Sequence, residues 1–227
     1  MSKARGTMSK LEKADLAAVD AARPLSGSRP MKIVSVLSEV GDQPQMRLLC
    51  GAVIAAGLVR GDKRLAGTGL RMLAAHSLAT FAKNAIKHRI DRTRPRSKHK
   101  PGKDHRLAPG DSRAKEETSF PSGHSAGAAA VARAFARDYP EHARPAYAAA
   151  GAVAAAQIPR CAHYPSDVGA GLAIGVAAEA LVDAAVRLVT TLPLDGGGPG
   201  GGGIRDPHHS ASESTPPQPS PSRGGSD

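Results

Sequence analysis

Residues 160–171 read RCAHYPSDVGAG and place His163 four residues before Asp167, at the start of an apolar run rich in alanine and glycine. Pro165 and Ser166 favour the start of a helix, so that Asp167 falls in its first turn and His163 lies just before it. Asp167 can then accept the Nδ1 hydrogen of His163 and leave Nε2 free as a nucleophile, as the carboxylate does in a catalytic triad. A histidine beside an aspartate is more often a simple polar contact, so the rest of the chain has to discriminate between these interpretations.

The composition favours closely packed helices. Aromatic residues make up only 3% of the chain and tryptophan is absent, so a core has to be built from alanine, glycine and aliphatic residues. Small side chains let helices approach each other closely. Apolar residues predict helices in the segments 10–23, 31–41, 48–59, 65–87, 122–137, 143–158 and 166–192, and no segment shows strand alternation. We therefore predict an all-α fold, a helical bundle of about five core helices.

Three regions differ in composition. Residues 1–44 form a polar N-terminal tail followed by amphipathic helices, and residues 45–194 form the helical bundle, interrupted by a long basic loop at 88–118. Residues 195–227 are rich in glycine, proline and serine, which predicts a disordered tail. The net charge of +11 predicts an anionic partner such as a phosphate, an acidic lipid surface or a nucleic acid. The two cysteines, Cys50 and Cys161, are predicted to be separate buried thiols.

A basic cluster, KHRIDRTRP, occupies residues 87–95. Lys87 and Arg94 are seven residues apart, about two helical turns, so a continuing helix places them on one face. Both side chains are long enough to reach one anion, and Pro95 disfavours a helical conformation at Arg94. Taken alone, the cluster is better explained as a solvated basic helix end.

A second cluster, FPSGHS, occupies residues 120–125. Ser122 is a good N-cap, Gly123 adds no side-chain bulk, and an alanine-rich helix begins at His124. Backbone N–H groups and the positive end of the helix dipole create a place for an anion beside His124. An ordinary capped helix start is the alternative. Because all three clusters lie at helix ends on one side of the bundle, we predict an active site at one end.

Taken together, the clusters resemble the type 2 phosphatidic acid phosphatase superfamily, which includes bacterial acid phosphatases and vanadium haloperoxidases. The family pattern is Lys-x6-Arg-Pro, then Pro-Ser-Gly-His, then Ser-Arg-x5-His-x3-Asp. The sequence matches the first two motifs in full and the end of the third, over about residues 45–190. Each motif alone is short, but three in the right order form a strong signal.

The resemblance implies phosphoryl transfer through a phosphohistidine intermediate, with no metal site and no cofactor. In that scheme His163 attacks phosphorus, Asp167 orients it, and His124 protonates the leaving oxygen as general acid. The phosphate oxygens would be bound by an arginine of the third motif together with Lys87, Arg94, Ser122 and Gly123.

The sequence departs from the family pattern in the third motif. The position six residues before His163, where the family has arginine, is Gln157, and Ala156 precedes it where serine is usual. Arg160 lies three residues before His163 instead. We expect Arg160 to supply the third cationic phosphate contact, with Gln157 as the alternative.

The resemblance also implies a lipid substrate, such as phosphatidic acid or a polyprenyl diphosphate, and a bundle embedded in a membrane. We therefore expect a multi-pass protein of a bacterial inner membrane. The charge-free runs at 48–59, 72–82 and 145–159 are shorter than the roughly 18 residues of a spanning helix, which keeps a soluble form open. Lysines and arginines of loop 88–118 favour the cytoplasmic face for the site, whereas the resemblance favours the outer face.

Three alternative functions remain open at this stage. A soluble non-specific acid phosphatase would present the same motifs, and so would a vanadium haloperoxidase-like enzyme, although the helical core is short for the latter. A nucleic-acid-binding protein could use the basic loop, but this loop has no aromatic residue on which bases could stack. We therefore predict a metal-independent phosphatase without a nucleic-acid partner. The oligomeric state is left open.

Overall fold

A computed structural model describes residues 8–97 and 105–191 of the protein. Seven α-helices lie in these ranges: α1 (Lys10–Ala22), α2 (Arg29–Ser38), α3 (Gln43–Arg60), α4 (Lys63–Lys87), α5 (Gly123–Asp138), α6 (Ala143–Ala156) and α7 (Pro165–Thr191). Short 3₁₀ turns occupy Arg23–Leu25, Glu39–Gly41, Pro95–Ser97 and Pro140–His142. The predicted all-α bundle is confirmed. The predicted disordered tail, 195–227, lies outside the described residues.

Local sequence explains where several helices begin and end. Ser9 and Glu12 form a capping box at the start of α1, in which each side chain bonds the backbone of the other residue. The side chain of Asp62 accepts a hydrogen bond from the backbone of Leu65 and caps α4. Gly61 ends α3 in the left-handed conformation that glycine adopts without a steric penalty.

Helix α5 is the centre of the bundle and packs against α4, α6 and α7. Seven of its ten buried residues are alanine, in line with the composition. The closest approach is to α7, where a Cβ atom added at Gly171 would lie 2.4 Å from the backbone oxygen of Ser122, and one at Gly175 would lie 2.3 Å from that of Ala126. Glycine at both positions lets the two backbones touch.

The basic loop contains a small antiparallel sheet that the sequence prediction missed. Strand β1 (Ile90–Arg92) pairs with β2 (Leu107–Pro109), so that Arg92 faces Leu107. The backbone of Arg92 also donates to the carbonyl of Glu117 (2.7 Å) and accepts from the amide of Ser119 (3.0 Å). Three-residue strands are too short to show an alternation of apolar and polar residues, so the prediction of an irregular loop is wrong at these positions.

In the described part of the chain, no helix combines the length and the apolar character that crossing a membrane requires. Both cysteines are buried free thiols, as predicted.

Candidate active site

A polar cavity of about 370 Å³ lies where the end of α4, the start of α5, the end of α6 and the turn before α7 come together. All three sequence clusters contribute to it. The polar and charged residues in its wall, with two glycines, are Glu39, Gly41, Asp42, Gln43, Lys83, Lys87, Arg94, Arg96, Lys115, Gly123, His124, Gln157, Arg160 and His163. Ser122 and Asp167 are fully buried and do not line it.

His163 is buried, and its ring is fixed by a backbone group. Nδ1 lies 2.7 Å from the carbonyl oxygen of Ser119, whereas Oδ2 of Asp167 lies 3.7 Å away, beyond hydrogen-bond distance. A carbonyl only accepts, so Nδ1 donates to it and Nε2 carries the lone pair. The prediction that Asp167 directly accepts the Nδ1 hydrogen is therefore wrong, because the acceptor is the backbone carbonyl of Ser119. Burial lowers the pKa of His163 to about 4, so the ring is neutral and nucleophilic at pH 7.

Asp167 holds the surroundings of His163 together. Its Oδ1 accepts from Arg92 (2.5 Å), and its Oδ2 accepts from the Ser119 hydroxyl (2.6 Å) and the Tyr164 amide (2.9 Å). Burial alone would raise the pKa of this carboxyl, but the hydrogen-bond donors and the charge of Arg92 outweigh burial and lower it. Asp167 is therefore an ionised carboxylate that orders the segment carrying His163.

The start of α5 has the predicted Ser122 cap, but Ser122 itself does not line the cavity. The Ser122 hydroxyl caps the helix by accepting from the amide of Ser125 (3.4 Å) and from its hydroxyl (2.9 Å). Gly123 leaves room for the side chain of Lys83 on α4, since a Cβ atom there would lie 3.1 Å from Cε and 3.6 Å from Nζ of Lys83. The ammonium group of Lys83 therefore lies beside the N-terminus of α5.

His124 lies close to the carboxylate of Asp42 in the cavity wall. Its Nε2 lies 2.9 Å from Oδ1 of Asp42, at an angle that does not make a hydrogen bond. Burial lowers the pKa of His124, the negative charge of Asp42 opposes this effect, and the nearby cations Arg160, Arg94 and Lys87 lower the pKa further. The pKa is lowered overall, because Asp42 offsets only part of these effects; a phosphate dianion in the cavity would add negative charge that favours the protonated form a general acid requires.

Three buried or half-buried cations of the cavity wall lack a carboxylate partner within 4 Å among the described residues. Lys83 is 6% exposed and bonds only the side-chain oxygen of Asn84 (2.7 Å). Burial and the neighbouring cations lower the pKa of Lys87 to about 7. Arg94, 8% exposed, donates to three backbone carbonyls, which leaves its charge without a counter-ion. Buried charges of one sign without counter-ions are the signature of a site for an anion.

Arg160 and Gln157 both reach the cavity. The guanidinium of Arg160 donates to the hydroxyl of Ser38 and lies 3.9 Å from a carboxylate oxygen of Glu39. Gln157 is fully buried, donates from Nε2 to the carbonyl of Val153 (2.9 Å), and has no hydrogen-bond partner for Oε1. Arg160 thus offers the site a cation, whereas Gln157 presents an acceptor.

Sequence reasoning missed several residues of this site. Lys83 lies one helical turn before Lys87, a spacing in the sequence that could have revealed it. Asp42, Ser38 and Glu39 come from the segment before α3, and nothing in the local sequence indicates that they reach the site.

The residues that the structure describes contain no group of three or more histidine, cysteine, aspartate or glutamate side chains arranged to hold a metal ion.

Comparisons with known proteins agree with this geometry. The family model of the PAP2 superfamily matches residues 68–188, which is more than half of the chain. Among solved structures, the chain is similar to the first transmembrane PAP2 type phosphatidylglycerolphosphate phosphatase from Bacillus subtilis, with 21% sequence identity and a TM-score of 0.58. That likeness covers 80% of this chain and 89% of the other, and it shows a shared fold. No curated protein matches the chain.

The resemblance drawn from the three sequence clusters is therefore confirmed. The matched region contains the end of α4, the basic loop, α5, α6 and most of α7, and so includes every residue expected at the site. The chain belongs to the PAP2 superfamily and is a phosphoric ester hydrolase of that type.

Proposed function

We propose that the protein removes a terminal phosphate from a phosphorylated lipid, without a metal ion, through a phosphohistidine intermediate. The observation that carries this proposal is the group of unneutralised cations, Lys83, Lys87 and Arg94, around a cavity that also holds two histidines. A phosphate dianion bound there would supply the missing counter-charge, and the charge that develops on its oxygens in the transition state would meet fixed donors.

The geometry supports a two-step reaction. Nε2 of His163 attacks phosphorus, the N–P bond forms as the P–O bond to the leaving alcohol breaks, and that oxygen takes a proton from His124. A water molecule then attacks phosphorus and gives a proton to His124. The N–P bond breaks, which releases inorganic phosphate and restores both histidines.

Two observations favour a lipid substrate over a soluble one. Large apolar side chains are more than half exposed on α3 (Leu48 and Val59) and on α4 (Leu70 and Phe81). Exposed apolar surface of this kind is typical of contact with lipid or with another protein. The structural relative from Bacillus subtilis is described as a phosphatidylglycerolphosphate phosphatase, which is a lipid phosphatase. We accordingly propose that the protein works at a membrane.

The test is phosphate release by the purified protein in detergent from phosphatidic acid, a polyprenyl diphosphate and p-nitrophenyl phosphate, each with and without excess chelator. We expect release from at least one of the two lipids, with a kcat/KM above that for p-nitrophenyl phosphate and unaffected by the chelator. Release from p-nitrophenyl phosphate alone would contradict the lipid assignment. Loss in chelator with recovery on adding a divalent ion would contradict the metal-free mechanism.

The intermediate is tested separately with a lipid labelled in its phosphate. Acid-labile, alkali-stable label on the protein is expected for a phosphohistidine, and His163→Ala should abolish it. His142→Ala is the matched control, because His142 is an exposed histidine beyond the far end of α5. Labelling of the His163→Ala protein equal to that of the control would contradict the assignment of the nucleophile.

A further inference from the structure

Arg92 is a buried cation at which three segments of the chain meet. It lies in β1 and is 2% exposed. Its Nη1 donates to Oδ1 of Asp167 (2.5 Å) and to the hydroxyl of Ser166 (2.7 Å), and its Nη2 donates to Oδ2 of Asp15 in α1 (2.6 Å). The guanidinium also stacks 4.2 Å from the ring centre of Tyr164. One guanidinium thus joins β1, α1 and the start of α7.

Both groups that face Nδ1 of His163 depend on Arg92. The side chain of Arg92 fixes one oxygen of Asp167, which directs the other oxygen towards Ser119 and His163. The backbone carbonyl of Arg92 accepts the amide hydrogen of Ser119, whose own carbonyl is the acceptor for Nδ1. Arg92 therefore holds the carboxylate through its side chain and the carbonyl through its main chain.

Asp15 completes this arrangement from outside the matched region. It is 2% exposed, its Oδ1 accepts from the amide of Ser166 (3.0 Å), and its Oδ2 accepts from the Ser166 hydroxyl and from Arg92. Asp15 thus satisfies a backbone donor in the first turn of α7, where a negative charge is favourable. The same carboxylate binds Nη2 of Arg92, whereas Asp167 binds Nη1.

We propose that Arg92 is a positioning residue for the His163–Asp167 pair and that Asp15 of α1 keeps Arg92 in place. Arg92 does not touch the substrate, and it acts by fixing the orientation of the two groups that face Nδ1. This inference rests on the proposed function, in which His163 is the nucleophile. In this proposal α1, which precedes the matched residues 68–188, supports the active site through Asp15.

The variants Arg92→Lys, Arg92→Met and Asp15→Asn test this inference. Arg71→Met is the matched control, because Arg71 also bridges two carboxylates, Asp138 and Asp183, in a cluster away from the cavity. We expect kcat to fall about 10- to 100-fold in Arg92→Met, as when the outer partner of a catalytic group is removed. We expect smaller losses in Arg92→Lys and Asp15→Asn, with KM within about 3-fold of the unaltered protein in each. Arg71→Met should keep its kcat.

A second measurement requires neither turnover nor a folded Arg92→Met protein. Ring-nitrogen NMR shifts of His163, assigned with His163→Asn, should show an Nδ1–H tautomer in the unaltered protein. Altered ring-nitrogen shifts are expected in Asp15→Asn and Arg92→Lys, because the Asp167 carboxylate that faces Nδ1 is then less firmly fixed. Unchanged shifts together with unchanged kcat in these two folded variants would overturn the proposal. If the unaltered protein releases no phosphate, the proposed function fails, while the NMR shifts still test the role of Arg92.

Discussion

Nδ1 of His163 lies 2.7 Å from the backbone oxygen of Ser119, so the main chain sets the tautomer of this ring. In a catalytic triad a side-chain carboxylate has this role, and its replacement by an amide inverts the tautomer. Here Oδ2 of Asp167 is 3.7 Å away and contributes charge and order instead of the direct hydrogen bond.

Asp167→Asn should therefore be less damaging than the corresponding change in a catalytic triad. We expect kcat to fall about 10- to 100-fold, compared with about 10⁴-fold where the tautomer is lost. The measurement is kcat on the preferred lipid, at a temperature where circular dichroism shows the variant folded. A loss of 10⁴-fold or more would show that Asp167 fixes the tautomer after all.

His124→Ala should affect substrates according to their leaving groups. A general acid typically contributes about 10²–10⁴-fold, and only where the leaving oxygen needs a proton. We expect a loss in that range with an alkyl phosphate and a much smaller loss with p-nitrophenyl phosphate. Equal losses of kcat on both substrates would argue against the role of His124 as the acid.

Arg160 and Gln157 can be distinguished because one presents a cation and the other a neutral amide. We expect Arg160→Ala to lower kcat/KM about 10-fold or more, since a charged donor to phosphate is lost. Gln157→Ala should change it by less than about 3-fold, because Gln157 carries no charge and one of its amide hydrogens is already donated to the carbonyl of Val153. A drop in the Gln157 variant alone would show that the third cationic contact is wrongly assigned.

Lys83→Met should weaken phosphate binding while leaving the fold intact. Its ammonium lies beside Gly123 without a counter-ion in the described chain, so methionine of similar length removes an unneutralised buried charge. We expect a higher KM together with a higher free energy of unfolding in urea. An unchanged KM would mean that the ammonium is remote from the bound phosphate.

His163 should make the protein sensitive to mild acid. Its pKa is about 4 in the folded state and near 6.5 when unfolded, so the unfolded chain binds more protons between these values. The stability from neutral His163 is present above pH 6.5 and is lost as the pH falls towards 4, with about 2 kcal/mol lost at pH 5. Urea unfolding at pH 7.5 and pH 5 should show a loss about 2 kcal/mol larger in the unaltered protein than in His163→Asn, since His76 and His124, whose pKa values are also lowered, contribute to both proteins. The same pH dependence in both proteins would contradict the shifted pKa.

The sequence predicted the parts of the site that local patterns determine. His124, His163 and Lys87 each lie at a helix end, and helix ends can be located from caps, prolines and changes of composition. The short strand pair was missed because its pairing depends on backbone groups from distant positions, not on an apolar pattern.

The basic loop shows why the remaining residues could not be predicted. In the sequence its arginines resemble a solvated surface, yet Arg92 and Arg94 are buried. Their burial depends on Asp15 and Asp167, which lie 77 and 75 residues from Arg92, and on carbonyls of the same loop. Long-range partners of this kind follow from how the helices pack, which no local spacing reveals.

The contact between α5 and α7 also bears on how the protein can be engineered and how it can diverge. Replacing helical glycines with alanine is a common route to higher thermostability, because alanine restricts the unfolded chain. At Gly171 and Gly175 the same replacement would force the two backbones apart, and Ser122, at the start of α5, would move with them. Substitutions on the outer faces of the helices should therefore disturb the active site little. At Gly171 and Gly175, by contrast, no side chain larger than a hydrogen atom fits, and a design that replaces helical glycines by rule would overlook this.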